Sequence, residues 1–144
     1  MPISVVVAEH LRSSAAVITR LLETNGYAAA AVASAKAALA VCRERSVDIV
    51  ISRVSFADSM NGVDLAYKLE GSGTFVILFS PFREDLLKQR VPGFTTTTAL
   101  YVDTQAGLAD LLGAVQGFAA FRANHSRINP RSASEDARKR RAVG

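Results

Sequence analysis

Along residues 3–123 the spacing of apolar residues changes period again and again. Ile3–Ala8 (ISVVVA) is a near-continuous aliphatic run, the pattern of a strand buried on both faces. Val17, Ile18, Leu21 and Leu22 then recur at helical spacing. Ser13 or Ser14 stands where a cap is expected, and Asn25-Gly26 supplies the stop. Tyr27–Val32 predicts a second, weaker strand, because its four alanines have poor β-propensity. Ser34 can cap a helix on which Ala35, Leu39 and Cys42 share a face, and Asp48–Ser52 (DIVIS) predicts a third strand. Gly62–Glu70 predicts a short helix and Thr74–Phe79 (TFVILF) a fourth buried strand. Arg83–Arg90 has room for about two helical turns before Pro92-Gly93 ends them. Ala99–Val102 predicts a fifth strand, and Leu108, Leu111, Leu112, Val115 and Phe118 form the stripe of a last helix.

Strands alternating with helices in this way predict a doubly wound α/β domain with a five-stranded parallel sheet. Its crossovers are expected to be right-handed. In such sheets the working crevice lies beyond the carboxyl ends of the strands. The residues that follow those ends are Glu9 and His10, Arg53, Ser80, and Asp103-Thr104. No glycine-rich phosphate loop follows the first strand: AEHLRSS is neither GxGxxG nor a Walker sequence, which argues against a nucleotide site.

Composition narrows the class. The chain has 144 residues, 49% of them hydrophobic, which suits a single domain with one core. No apolar run approaches the ~20 residues that a membrane span needs, and no charged segment precedes an apolar one at the start. Cys42 is the lone cysteine, so no internal disulfide is expected. No Cys/His cluster stands ready for zinc. A reducing, cytoplasmic setting follows as the expectation. Charge sets the domain boundary. From Arg127 onward there are six basic and two acidic residues, whereas the preceding residues carry eleven of each, so the net charge of +4 belongs to the end of the chain. Residues 1–123 are therefore expected to be the domain, and 124–144 a basic, solvated, disordered tail.

Five pieces in order, VVVAEH followed by a helix ending LLETNGY, then VDIVIS, MNGVDLAYKL, VILFSP and ALYV, resemble the receiver domain of bacterial response regulators. The resemblance covers residues 3–123 and implies the CheY-like (flavodoxin-like) sheet order 2-1-3-4-5. It also implies a phosphoacceptor Asp after the third strand, a Mg²⁺ held by two acids after the first, a Ser/Thr after the fourth, a Lys after the fifth, and an aromatic reporter on the fifth. Carried over position by position, the acceptor falls on Arg53 and the acid pair on Glu9-His10. The Lys falls on Thr104 and its following Pro on Gln105, while Ser80 and Tyr101 match. A guanidinium is a permanently protonated non-nucleophile, and Mg²⁺ wants hard oxygen ligands. The implied pocket is thus degenerate, with no metal, no cofactor and no catalytic residue expected.

Several residues keep two readings. Arg53 either pairs with Glu9 in the space of the metal and phosphoryl group, or turns to solvent as a surface Arg. His10 is an alternative phosphoacceptor or metal ligand, or a hydrogen-bonded loop residue. Ser80 and Tyr101 are a switch couple, or a turn cap and a half-buried edge-strand aromatic. Asp58, five residues past Arg53, is a substitute acceptor or a solvated loop acid. Thr95–Thr98 is a remodelled docking surface or an extended loop, and Cys42 is expected to fill core. The Arg138–Arg141 run (RKRR) binds nucleic acid or anionic lipid, or is a solubilising tail or linker stub, and four charges without interleaved aromatics carry little specificity.

The leading expectation is a non-enzymatic, phosphorylation-incompetent receiver-like domain that serves as a protein–protein interaction module in bacterial signal transduction. Its partner would be a histidine kinase or another regulator. Family habit allows a homodimer, through the first and last helices or through the face formed by the fourth helix, fifth strand and fifth helix. The rivals are a phosphorelay receiver using His10 or Asp58, and a nucleic-acid-associated regulator using the basic tail.

Overall fold

Val5, Val6, Val7 and Ala8 are β-branched or small and leave no polar side chain to place, so the strand they form can be covered on both faces. It becomes β1 (Ser4–Ala8), an interior strand in the computed structural model, which describes residues 2–54, 60–80, 100–103 and 107–128. After it come α1 (Arg12–Thr24), β2 (Ala28–Val32), α2 (Ala35–Glu44), β3 (Ile49–Ser52), α3 (Gly62–Lys68), β4 (Phe75–Ser80), β5 (Leu100–Asp103) and α4 (Leu108–Ile128). The strands form one five-stranded sheet in the order β2-β1-β3-β4-β5, and each recorded pairing is parallel. The expected doubly wound α/β class and strand order are present. The helix expected over Arg83–Arg90 and the Thr95–Thr98 stretch lie outside the described residues.

The two faces follow from the alternation of side chains along each strand. Val6, Ala8, Val50, Val76 and Leu78 pack with Ala35, Ala38 and Leu39 of α2 and Val63, Leu65 and Ala66 of α3. Val5, Val7, Ile49, Ile51 and Ile77 take the alternate positions and are equally buried. Against β1 and β2 lies α1, which buries Ala15, Ile18 and Leu22. Each fully buried Leu or Ile contributes on the order of 1.5–3 kcal/mol. β2 is an edge strand, and its alanines are exposed or half-buried, as their weak strand pattern predicts.

Helix ends follow local chemistry, with two departures from expectation. Ser34 caps α2 by accepting the Ala37 N–H at 3.1 Å. Asn61 and Asp64 form a reciprocal capping box at the start of α3, with bonds of 2.8 and 3.1 Å. Gly26, with φ at +90°, ends α1 in a conformation that side chains disfavour. The cap of α1, however, is neither Ser13 nor Ser14. Leu11 takes that position without a side-chain bond, so the helix starts two or three residues early and both serines lie inside it. The second departure is Val17, which the spacing assigns to the buried face but which is 51% exposed, Ala15 taking its place.

The chain divides into two compact units, Met1–Leu112 and Gly113–Gly144. The first holds the sheet, α1–α3 and the first turn of α4. The expected boundary at residue 123 falls inside α4, because no Gly or Pro interrupts the chain between Gly117 and Pro130 and the helix continues to Ile128. Residues 129–144, most of the expected tail, lie outside the described residues. Among the described residues no helix is long and apolar enough to cross a membrane.

Cys42 is half-buried against the α2–α3 core, as its stripe predicts. Burial raises its thiol pKa above the ordinary value, and the charge of Arg45 only partly opposes this. Because the thiolate is the nucleophile, Cys42 is expected to react with iodoacetamide at neutral pH several-fold more slowly than a cysteine peptide. Unfolding in guanidinium should abolish the difference, and equal rates in the folded chain would contradict the burial described here.

Candidate functional site

β1 and β3 are neighbours, and their register brings Ala8 beside Ser52. The residues that follow each strand therefore leave the sheet together. The Arg53 N–H donates to the Ala8 carbonyl at 3.2 Å, and the Glu9 N–H to the Val32 carbonyl at 3.0 Å. These backbone bonds set both side chains over the carboxyl end of the sheet, where Arg53 Nε donates to Glu9 Oε2. The pair is unequal: the Glu9 side chain is 2% exposed and that of Arg53 22%.

The contact is not the bidentate fork that an Arg–carboxylate pair favours. Glu9 Oε1 is already committed, accepting the Leu11 N–H at 3.0 Å, which leaves one oxygen for the guanidinium. This bond also turns the chain into α1 and takes up the donor at its cap position. Beside it, His10 Nδ1 lies 3.5 Å from Glu9 Oε1 on a side chain that is half-exposed.

Two residues that sequence reasoning did not assign to the site hold Arg53 in place. The buried Ser52 hydroxyl donates to the Arg53 carbonyl at 2.8 Å. Gly62, the first residue of α3, lies so close that a Cβ there would meet the same carbonyl oxygen at 2.0 Å. The Gly62 N–H donates to the Val54 carbonyl at 2.9 Å, tying the start of α3 to the end of β3. The Asn61-x-x-Asp64 spacing was a legible capping signal. The close approach of Gly62 had none, because it depends on a contact between two elements.

The other expected site residues are placed only in part. Ser80 ends β4 in register with Asp103, and Tyr101 lies on the edge strand β5 opposite Leu78. Asp58, Thr104 and Gln105 lie outside the described residues.

No protein-family model matches the chain, and no curated protein matches it. Solved structures do. A CheY-like response regulator receiver domain from Methylobacillus flagellatus superposes with a TM-score of 0.68 at 20% identity, covering 82% of this chain and 99% of its own. The chain has the receiver-domain fold. The chemotaxis response regulator CheY4 of Vibrio cholerae is similar at TM-score 0.69 and 17% identity, over 82% of this chain and 99% of that one. A LuxR-family two-component response regulator from Aurantimonas sp. SI85-9A1 gives 0.70 and 18%, over 83% and 86%.

On this receiver fold, the Mg²⁺ that the family resemblance implies does not fit the donors present. One oxygen of Glu9 is taken by a cation and the other by a backbone N–H, and the adjacent side chain offers imidazole rather than carboxylate. Among the described residues no group of three or more His, Cys, Asp and Glu is arranged to hold a metal ion. What the corner does offer chemically is a sheltered carboxylate neutralised by a half-sheltered guanidinium, with no nucleophile at residue 53.

Proposed function

We propose that this chain is a receiver-fold signalling module that takes up no phosphoryl group, catalyses no reaction, and acts by binding another protein of a bacterial signalling pathway. The observation that carries this reading is the Arg53–Glu9 pair at the carboxyl ends of β1 and β3. The guanidinium stands where the family resemblance calls for an acceptor carboxylate, and it neutralises Glu9 without a metal. A module held in one state in this way would signal by being bound, with a histidine kinase, another regulator or a second copy as the partner. The absence of any membrane-crossing helix among the described residues is consistent with a cytoplasmic setting.

The test is intact mass after incubation with acetyl phosphate and Mg²⁺, paired with a thermal scan against Mg²⁺ at constant ionic strength. The expected result is no mass gain and no shift in Tm, since an ion that binds only the folded state must raise Tm. A stable gain of one phosphate, mapped to His10 or Asp58, would replace this reading with a phosphorelay receiver. Salt-steep binding to duplex DNA would favour the nucleic-acid regulator instead.

A further inference from the structure

The guanidinium of Arg53 is only partly used. It meets Glu9 through Nε, and among the described residues its two terminal amino groups have no partner. Arg53 lines a cleft of about 340 Å³, at the low end of the range for small-molecule sites. Ser13 and Ser14 of α1 line the same cleft. The first turn of α1 carries no acidic residue, and the one carboxylate at its start, Glu9, is paired with Arg53. The remaining wall is apolar, formed by Val17, Phe79 and Leu108 among others. This accounts for Val17: a helix that buries Ala15, Ile18 and Leu22 on the sheet leaves one aliphatic residue facing this cleft, 51% exposed.

We propose that the cleft binds a small organic monocarboxylate with an apolar body. Its carboxylate would be received by the terminal amino groups of Arg53 and the hydroxyls of Ser13 and Ser14, and its chain or ring would lie on Val17, Phe79 and Leu108. Arg53 and Glu9 together carry no net charge, so the remaining N–H groups offer hydrogen bonds to one carboxylate but no surplus charge for a dianion. The apolar wall gives a bare inorganic anion nothing to bury, and the guanidinium turns away cations. The proposal rests on the cleft and on Arg53, not on the reading that the chain takes up no phosphoryl group.

Octanoate is the probe, with acetate, octan-1-ol and inorganic phosphate as controls, titrated into the full chain by calorimetry. The Val17→Asp variant is measured alongside; its site is exposed, so its Tm without ligand should stay close to wild type. The expected result is saturable octanoate binding at least tenfold tighter than any control, weakened at least tenfold by Val17→Asp. Octanoate that binds no better than acetate, octan-1-ol or phosphate would overturn the proposal. So would octanoate binding that Val17→Asp leaves unchanged. Neither result would bear on the phosphoryl-transfer test, which reads mass rather than ligand binding.

Discussion

Replacing Arg53 with methionine is expected to lower the unfolding free energy by about 3–5 kcal/mol, the cost of breaking a sheltered ion pair from the side that leaves the buried charge behind. The unequal burial of the two partners decides which substitution is worse. Glu9, at 2% exposure, cannot reach water when its cation is removed, and the Leu11 N–H alone does not neutralise it. Arg53, at 22%, can turn its head group outward when Glu9 is removed. Glu9→Ala should therefore cost less, about 1–3 kcal/mol, mostly for the Leu11 N–H that loses its acceptor. The double variant Glu9→Gln with Arg53→Met should recover most of the loss, because the amide keeps that acceptor and carries no charge. Urea unfolding at neutral pH reads all three through the midpoint at unchanged slope. An Arg53→Met variant within about 1 kcal/mol of wild type would mean that the pair is as weak as an exposed one, and the held-corner reading would fail.

Gly62→Ala is the second large effect, and its sign is the informative part. At an exposed helix position the change from Gly to Ala stabilises by up to about 1 kcal/mol. Here the new Cβ meets the Arg53 carbonyl oxygen at 2.0 Å and the Ser52 hydroxyl at 3.0 Å. The first is backbone at the end of a central strand, so α3 or the end of β3 must shift. The expected cost is at the upper end of the roughly 1–3 kcal/mol typical of overpacking. At about 2–4 °C per kcal/mol for a chain of this size, Tm should fall by several degrees. A neutral or raised Tm would show that α3 can move away freely, and that Gly62 does not hold Arg53 in position.

The kind and order of the described elements are legible in local residue spacing. A period of two or an unbroken aliphatic run makes a strand, a period of 3.6 makes a helix, and both are read over a few neighbouring residues. Caps such as Ser34 and the Asn61–Asp64 box are local for the same reason. The positions of Glu9 and Arg53 at strand ends were legible too, and their contact was one of two readings of Arg53, since the receiver resemblance implies that the first and third strands are neighbours. How that contact is made depends on packing between distant elements. The Leu11 N–H takes one oxygen of Glu9, so the guanidinium gets the other alone, and the start of α1 moves forward to Arg12. Tertiary packing likewise set Gly62 against the Arg53 carbonyl and turned Val17 from the core into a cleft. Each of these depends on where one element lies against another far along the chain. Residue spacing records the face a helix offers, not the neighbour it meets.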